Sequence, residues 1–279
     1  MAQRPARDLR EENMKLYIMT DLEGVAGVLN SDDYGSPESR YYEVARSLTT
    51  QETNAAVEGA LIAGATEVLV VDGHGHGAIN PGELHPAAEL FAGRPMGYPF
   101  LCDATFDAAM VVGQHAKSNT DGGHLSHTGS FTIEELSING VSVGELGCNM
   151  LFCGYYGVPT VMVSGDIACC EEAQALVPGI ATAAVKRGIK RGPAAGLTGQ
   201  QNKLYNGAAV HLCPARARDL IRAAAEAGLR RLRDIPPFRL DPPFELISVL
   251  RRTETEPQKT ARVTGDDLIE LLNMPTAYE

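Results

Sequence analysis

We predict an α/β fold: a three-layer unit with a mainly parallel sheet and helices on both faces, plus a smaller α+β second domain. Short, nearly continuous apolar runs rich in β-forming residues, such as residues 66–72 and 108–113, are the first indication. A helical pattern over residues 38–63 separates two such runs. Apolar strands that alternate with helices are typical of parallel sheets covered on both faces. A Gly- and basic-rich stretch from Lys186 predicts a linker or a surface excursion before the second domain.

The pattern up to residue 164 predicts strands and one long helix. Residues 15–20 (KLYIMT) predict the first strand, because they are apolar and rich in β-forming side chains. Residues 38–63 carry apolar side chains at roughly helical spacing, and Gly64 stands where a C-terminal cap belongs. Residues 159–164 (PTVMVS) repeat the pattern of the earlier strands. We therefore expect a sheet whose strands end in polar segments.

An antiparallel element interrupts this alternation. Residues 131–143 predict a hairpin, since Asn139-Gly140 is a strong signal for a two-residue turn between strands. A helix is predicted from Glu145 to about Gly157. The later elements are a helix at 214–234, a strand at 244–252 and a helix at 264–273. The predicted organisation is a disordered extension (1–13), the larger α/β domain (14–195) and the smaller α+β domain (196–279).

Composition excludes several classes of protein. The 279 residues are 44% hydrophobic, and no apolar run approaches the ~20 residues that span a bilayer. The net charge of −11 argues against a nucleic-acid partner, which needs clustered basic side chains. The six cysteines show no CxxC spacing, and the polar N-terminal residues do not form a signal peptide. We expect a cytoplasmic protein without a membrane partner.

Metal-binding side chains follow the predicted strands. Asp21 and Glu23 come after the first strand, His74 after the second and His115 after the third, while Glu145 begins a helix. The carboxyl ends of parallel strands share one rim, so these side chains could converge. Each also has a simpler explanation: a surface carboxylate pair, a hydrogen-bonded buried histidine, or an acid stabilised by the helix dipole.

The other histidines are harder to assign. His124 and His127 lie in a flexible Gly-Gly-His-Leu-Ser-His segment, and either could move protons near a metal, but spacing does not choose between them. His76 is interpreted as exposed or as a neighbour of the ligands. His85 and His211 stand away from the strand ends.

Three carboxylates and two histidines form a mixed oxygen and nitrogen donor set. Such a set suits Zn²⁺ or Mn²⁺, and a carboxylate can bridge two ions. Structural zinc sites more often use cysteines, which are absent from this set. An open hydrolytic metal site is therefore favoured.

Several motifs in order resemble one known family, the DppA-type zinc-dependent D-aminopeptidases, formerly described as dipeptide transport proteins. The motifs are MKLYIMTDLEG (14–24), TEVLVVDGH (66–74), LHP (84–86), VGQHA (112–116), LSH (125–127), VGELGCN (143–149), GYYGVPTVMVSGD (154–166) and TAAVK (182–186). The chain departs from the family pattern in residues 187–212, which look like an insertion, and its extreme C-terminal region matches only loosely.

The resemblance implies a binuclear zinc aminopeptidase that removes an N-terminal residue, such as D-Ala, from short peptides or amides. It assigns His127 as the catalytic side chain and implies a ring-shaped homo-oligomer, for which a decamer is one candidate. It assigns two zinc ions per subunit to five ligands: Asp21, Glu23, His74, His115 and Glu145. His76 and His124 have no counterpart in the family pattern.

Two other functions stay open from the sequence. A two-metal phosphoesterase would also use Asp-x-Glu and Gly-His-x-His, although it would usually need a further Asn- or Asp-rich loop. A non-catalytic peptide-binding component of dipeptide transport is the second alternative, and the absence of a recognisable signal peptide argues against it.

Overall fold

A computed structural model describes residues 13–192 and 194–279, and within them two sheets are present. The strands are β1 Lys15–Thr20, β2 Glu67–Asp72, β3 Ala88–Phe91, β4 Ala108–Gln114, β5 Ile133–Ile138, β6 Val141–Ser142, β7 Thr160–Asp166, β8 Ala181–Gly188, β9 Ala209–His211, β10 Phe244–Leu250 and β11 Lys259–Gly265. The larger sheet has the order β3-β2-β1-β4-β7-β8-β9. Its strands pair in parallel except β9, which is antiparallel at one edge.

Three neighbouring strands of this sheet end side by side. Thr20 at the end of β1 lies beside Asp72 of β2 and Val112 of β4. The direction of strand addition reverses between β1 and β4, because β2 and β3 extend the sheet to one side and β7 and β8 to the other. Ligands of open α/β sheets bind outside the carboxyl ends of the strands at such a reversal. The segments that follow β1, β2 and β4 therefore share one rim.

Helices cover both faces of the larger sheet. The helices are α1 Ser31–Tyr34, α2 Tyr42–Ile62, α3 Glu145–Tyr155, α4 Ile167–Leu176, α5 Gly199–Tyr205, α6 Pro214–Arg230 and α7 Leu268–Asn273, with a 3₁₀ turn at Leu232–Asp234. Helices α2 and α6 pack against each other, and α3 packs against α4. The central strands β4 and β7 are buried along their whole length, as strands covered on both faces must be. The predicted three-layer α/β fold is confirmed.

The smaller sheet is antiparallel, with the order β11-β10-β5-β6. The predicted hairpin forms its β5-β6 pair, and both turn residues, Asn139 (φ 51°) and Gly140 (φ 76°), adopt the left-handed conformation that this turn requires. Two of its strands thus precede residue 195 and two follow it. The division into domains at that residue stays a prediction, and it does not coincide with the division between the sheets.

Two expectations about the second half of the chain are wrong. Lys186 begins neither a linker nor a surface excursion, since β8 continues to Gly188 in the larger sheet. The predicted helix at 214–234 is α6, which packs on α2, β7 and β8 and not on the smaller sheet. The region 187–212, interpreted as an insertion, contributes α5 and the edge strand β9.

The predicted disordered extension, residues 1–13, lies outside the described residues apart from Asn13. In the part of the chain that the structure describes, no helix has both the length and the apolar character needed to cross a membrane.

Candidate metal centre

The segment after β1 brings two carboxylates to the rim. Asp21 continues the pairing of β1 with β4, because its N–H donates to the carbonyl of Val112 at 2.9 Å. Its Oδ2 accepts a 2.7 Å hydrogen bond from Gln114 Nε2, and its Oδ1 accepts one from the N–H of Leu22 at 2.8 Å. Glu23 lies two residues further on and also faces the cavity at the rim. Both carboxylates therefore reach the same cavity, although the chain bends at Leu22 and turns at Glu23 and is not extended there.

His74 approaches Glu23 from the end of β2. Its Nε2 lies 3.5 Å from Glu23 Oε1, and both side chains are buried. The close approach depends on Gly73, where a Cβ atom would lie 2.5 Å from Met19 Sδ and 2.7 Å from the carbonyl of Thr20. Asp21, Glu23 and His74 each offer one donor atom within 4.8 Å of the others, which makes this trio a candidate site for one ion.

His115 extends the site from the end of β4 to the start of α3. Its Nε2 lies 2.6 Å from Glu145 Oε2 and 3.3 Å from Asp21 Oδ2. The ring is almost fully buried, and its Nδ1 donates to the carbonyl of Ala116 at 2.9 Å, which directs Nε2 toward the carboxylates. Glu145 is held in turn by the N–H of Gly129, which donates to its Oε1 at 2.9 Å. All five predicted ligands thus meet in one place.

His127 lies beside this set. Its ring stacks on His115 with centroids 3.9 Å apart and planes within 12°, and Phe131 stacks on its other side at 4.5 Å. The Nδ1 atom donates to the carbonyl of Leu125 at 2.7 Å, so Nε2 is free to accept a proton or to bind an ion. Donor atoms of His127, His115 and Glu145 lie within 4.8 Å of one another, so the geometry is compatible with either role.

The carboxylates draw positive charge into the site. Burial, with repulsion from the Glu23 carboxylate, raises the pKa of Asp21 to about 8. Burial alone would lower the pKa of His115, but the charges of Glu145 and Asp21 raise it well above its usual range. Burial would also lower the pKa of His74, but Glu23 raises it to about 9. The two histidines retain their protons because the buried carboxylates need compensating positive charge. A bound cation would supply that charge and replace the protons.

Two buried atoms test whether a metal ion fits. Glu23 Oε2 has no hydrogen-bond partner among the described residues, and His115 Nε2 contacts Glu145 Oε2 at 2.6 Å without the geometry of a hydrogen bond, although buried polar atoms are usually paired. Both are donor types that zinc accepts, and they belong to the two adjacent trios of donor atoms. The residues therefore fit a metal ion, and their mixed oxygen and nitrogen chemistry suits zinc.

The carboxylates and His127 line a cavity of about 540 Å³, which is large enough for a small peptide. One part of its wall is apolar or aromatic and includes Tyr98 and Phe131. Asn149, one turn beyond Glu145 on α3, adds an amide to the wall. Lys203 of α5 forms an ion pair with Asp32 of α1 at the cavity, so the region predicted as an insertion reaches the site.

The remaining histidines differ from the candidate ligands in burial and in hydrogen-bond partners. His76 is exposed at the cavity, 6.2 Å from His74 between ring centroids. His124 is fully buried, and its Nε2 donates to the carbonyl of Leu29 at 3.2 Å. His211 is half-buried and accepts from the N–H of Gly27, and His85 accepts from the N–H of Ala87. Sequence spacing could not separate His124 from His127, but the structure places only His127 against the five candidate ligands.

Comparison with known proteins decides the family. A family model described as D-aminopeptidase, peptidase family M55, matches residues 14–266. The chain belongs to this family. A D-aminopeptidase of Bacillus subtilis (strain 168) is 40% identical over 181 residues, which cover 64% of this chain and 65% of that protein, slightly less than two thirds of its length.

The three-dimensional comparison agrees with the sequence comparison. A solved structure described as the Zn-dependent D-aminopeptidase DppA from Bacillus subtilis, a self-compartmentalizing protease, matches with a TM-score of 0.79. The match covers 93% of this chain and 94% of that chain at 28% identity. The family predicted from the motifs is confirmed, and so is the α/β fold.

The sequence alone missed three residues around the site. Gln114, which binds Asp21, directly precedes His115 and could have been found as a polar end to an apolar strand. Phe131 carries no sequence signal that links it to His127. Lys186 interrupts an otherwise apolar strand, and that interruption was visible as the end of the TAAVK motif.

Proposed function

We propose that this protein is a zinc-dependent aminopeptidase that hydrolyses the N-terminal residue, with a preference for a D-residue such as D-Ala, from short peptides or amides. The observation that supports it most is the meeting of three carboxylates and two histidines at the strand-order reversal, in a chain of the D-aminopeptidase family. Two zinc ions per subunit would be held by the five ligands: Asp21, Glu23, His74, His115 and Glu145. The ligands fall into two adjacent groups, Asp21, Glu23 and His74 in one and His115 and Glu145 in the other, and His115 Nε2 lies 3.3 Å from Asp21 Oδ2.

Bound zinc would lower the pKa of a coordinated water and polarise a carbonyl group. The chain's own contribution is proton movement at His127. Burial lowers the pKa of His127, so the ring is neutral and Nε2 can accept a proton from the attacking water. The same nitrogen then gives that proton to the leaving amine as the C–N bond breaks. The carbonyl of Leu125 holds Nδ1–H and keeps the ring oriented throughout.

The cavity fits this substrate class. Its aromatic wall can pack against an apolar side chain, and its carboxylates favour a substrate that carries a free ammonium group. We extend the proposal to a homo-oligomeric assembly, because the solved relative is described as self-compartmentalizing. A ring, a decameric subunit number and a cytoplasmic location stay predictions.

Metal analysis combined with turnover of D-Ala and L-Ala amides tests the proposal on wild-type protein, His115→Ala and His127→Ala. We expect His115→Ala to lose zinc and activity. His127→Ala should retain zinc and lose roughly 10²- to 10⁴-fold in rate, the usual range for a general acid–base residue.

Other outcomes would assign different functions. Loss of zinc in both variants would make His127 a ligand. Hydrolysis of an aryl phosphate without hydrolysis of any amide would replace the peptidase with a phosphoesterase. Tight peptide binding without turnover after zinc is restored would indicate a binding component.

A further inference from the structure

A group of buried titratable side chains lies behind the metal centre and takes no part in the proposed chemistry. They contact the backbone of residues 23–29, the segment between the ligand Glu23 and the cavity wall. We call the four side chains the polar cradle: Glu52, His124, Lys186 and His211. The contacts are Lys186 Nζ to the carbonyls of Glu23 and Val28 (3.2 Å to Val28), Glu52 Oε1 to the N–H of Ala26 (2.9 Å), His211 Nδ1 to the N–H of Gly27 (3.2 Å) and His124 Nε2 to the carbonyl of Leu29 (3.2 Å).

Lys186 is the centre of the cradle. It lies in β8 next to the buried Val185, and only 3% of its surface is exposed. A buried ammonium group is costly unless carbonyls or carboxylates compensate it, and an apolar side chain would fill a strand position without that cost. The compensation here comes from the carbonyls of Glu23 and Val28 and from the nearby carboxyl groups of Asp166 and Glu52. The lysine therefore fixes the backbone of a ligand residue.

His124 connects the cradle to the segment that carries His127. Asp166 at the end of β7 accepts from the N–H of His124 at 2.7 Å through Oδ2 and caps α4 through Oδ1. The His124 ring in turn donates a hydrogen bond to the carbonyl of Leu29. The segment also packs tightly on β8, because a Cβ atom at Gly188 would lie 2.4 Å from the carbonyl of Gly122. One buried network thus sets the position of both segments.

We propose that Lys186 and His124 are positioning residues: Lys186 fixes Glu23, and His124 fixes the separation between the Glu23 segment and the segment that carries His127. This inference rests on the proposed function for its kinetic readouts only. A role in stability alone would change the free energy of unfolding and leave zinc affinity and kcat of the folded protein unaltered. A positioning role changes them in the folded protein.

The experiment uses full-length protein and the variants Lys186→Met, His124→Leu and His124→Gln. Zinc affinity is measured by competition with a chromogenic chelator, folding by urea unfolding, and kcat and KM with D-Ala amide at saturating zinc. We expect Lys186→Met to bind zinc at least tenfold more weakly. His124→Leu should bind zinc like wild type but lose at least tenfold in kcat at similar KM. His124→Gln, whose amide can donate to Leu29, should recover most of that loss.

His85→Leu is the matched control, because the half-buried His85 side chain accepts from the N–H of Ala87 in its own loop and does not line the cavity at the metal centre. It should keep zinc affinity and kcat. Wild-type zinc affinity in Lys186→Met together with wild-type kcat in His124→Leu would overturn the inference. Equal losses in His124→Leu and His124→Gln that follow the unfolded fraction would also overturn it. If Lys186→Met does not fold, the comparison of His124→Leu with His124→Gln decides whether the inference holds. If the wild-type protein turns over no amide, the proposed function is wrong, but the zinc affinity of Lys186→Met still tests the role of Lys186.

Discussion

The contact between the segment after β1 and the end of β4 makes Gly24 a sensitive position. The N–H of Gly24 donates to the carbonyl of Gly113 at 2.7 Å, so the two backbones touch between the candidate ligands Glu23 and His115. A Cβ atom at Gly24 would lie 2.1 Å from the carbonyl oxygen of Gln114, 2.4 Å from its carbon and 2.5 Å from the carbonyl carbon of Gly113. We predict that Gly24→Ala separates the two ligand segments.

The size of the effect follows from these distances. Ordinary contact begins at 3.4 Å, so one backbone must move by about 1.3 Å relative to the other. A functional constellation tolerates about 0.5 Å. Forcing an extra carbon into a packed interior typically costs about 1–3 kcal/mol of stability. We expect weaker zinc binding by at least about tenfold, since about 1.4 kcal/mol corresponds to a factor of ten, and a lower free energy of unfolding.

Metal content after dialysis and urea unfolding of the dialysed protein measure both effects. Gly75→Ala is the control, because this glycine follows the candidate ligand His74 directly and a Cβ atom there meets nothing within 4 Å. It should retain zinc and stability. If Gly24→Ala retains zinc as firmly as Gly75→Ala does, the claim that backbone contact at Gly24 sets the ligand spacing is refuted.

Three further predictions concern single side chains. Burial lowers the pKa of His124 to about 2 in the folded protein, whereas the pKa in the unfolded chain is about 6.5. Between these two values only the unfolded chain binds the proton, so the free energy of unfolding decreases as pH falls below about 6.5. His124→Gln should remove up to about 1.4 kcal/mol per pH unit of this loss, measured by urea unfolding at pH 7, 6 and 5. Lys203 lines the cavity, where its charge can attract the C-terminal carboxylate of a dipeptide, a group that an amide lacks. Lys203→Met should therefore raise KM several-fold for D-Ala-D-Ala and leave it unchanged for D-Ala amide. An equal rise for both substrates would show that Lys203 does not bind the substrate carboxylate. Asp166→Leu leaves the N–H groups of His124 and Cys169 unpaired and should lower the free energy of unfolding by about 2–6 kcal/mol. A change near zero in thermal or urea unfolding would contradict a stabilising role for these two hydrogen bonds.

The sequence was sufficient to predict the central half of the larger sheet and the meeting of the candidate ligands. Asp21, His74 and His115 each follow a short apolar strand, and parallel strands have their carboxyl ends at one rim whatever their order. The hairpin at Asn139-Gly140 was equally predictable, because its turn requires residues that accept positive φ. These features depend on local pattern alone.

Other features depend on contacts between distant segments. The apolar stripe of α6 indicates that the helix packs on another element. The sequence does not identify its partners α2 and β8, because both are distant from α6 along the chain. His124 and His127 are both preceded by small or polar residues, and Leu125, with a φ of 52°, turns the chain between them so that the rings point to different places. Spacing cannot predict such a turn.

The polar cradle has a consequence for protein engineering. Grafting the six residues of the site onto another parallel sheet would copy its donor atoms but not the side chains that anchor the backbone after β1. These anchors come from α2, β8, β9 and a loop, over a sequence span of 160 residues from Glu52 to His211. A transplanted site would therefore need a rebuilt support as well as the ligands, and a designed scaffold without one should bind zinc weakly even with every ligand present.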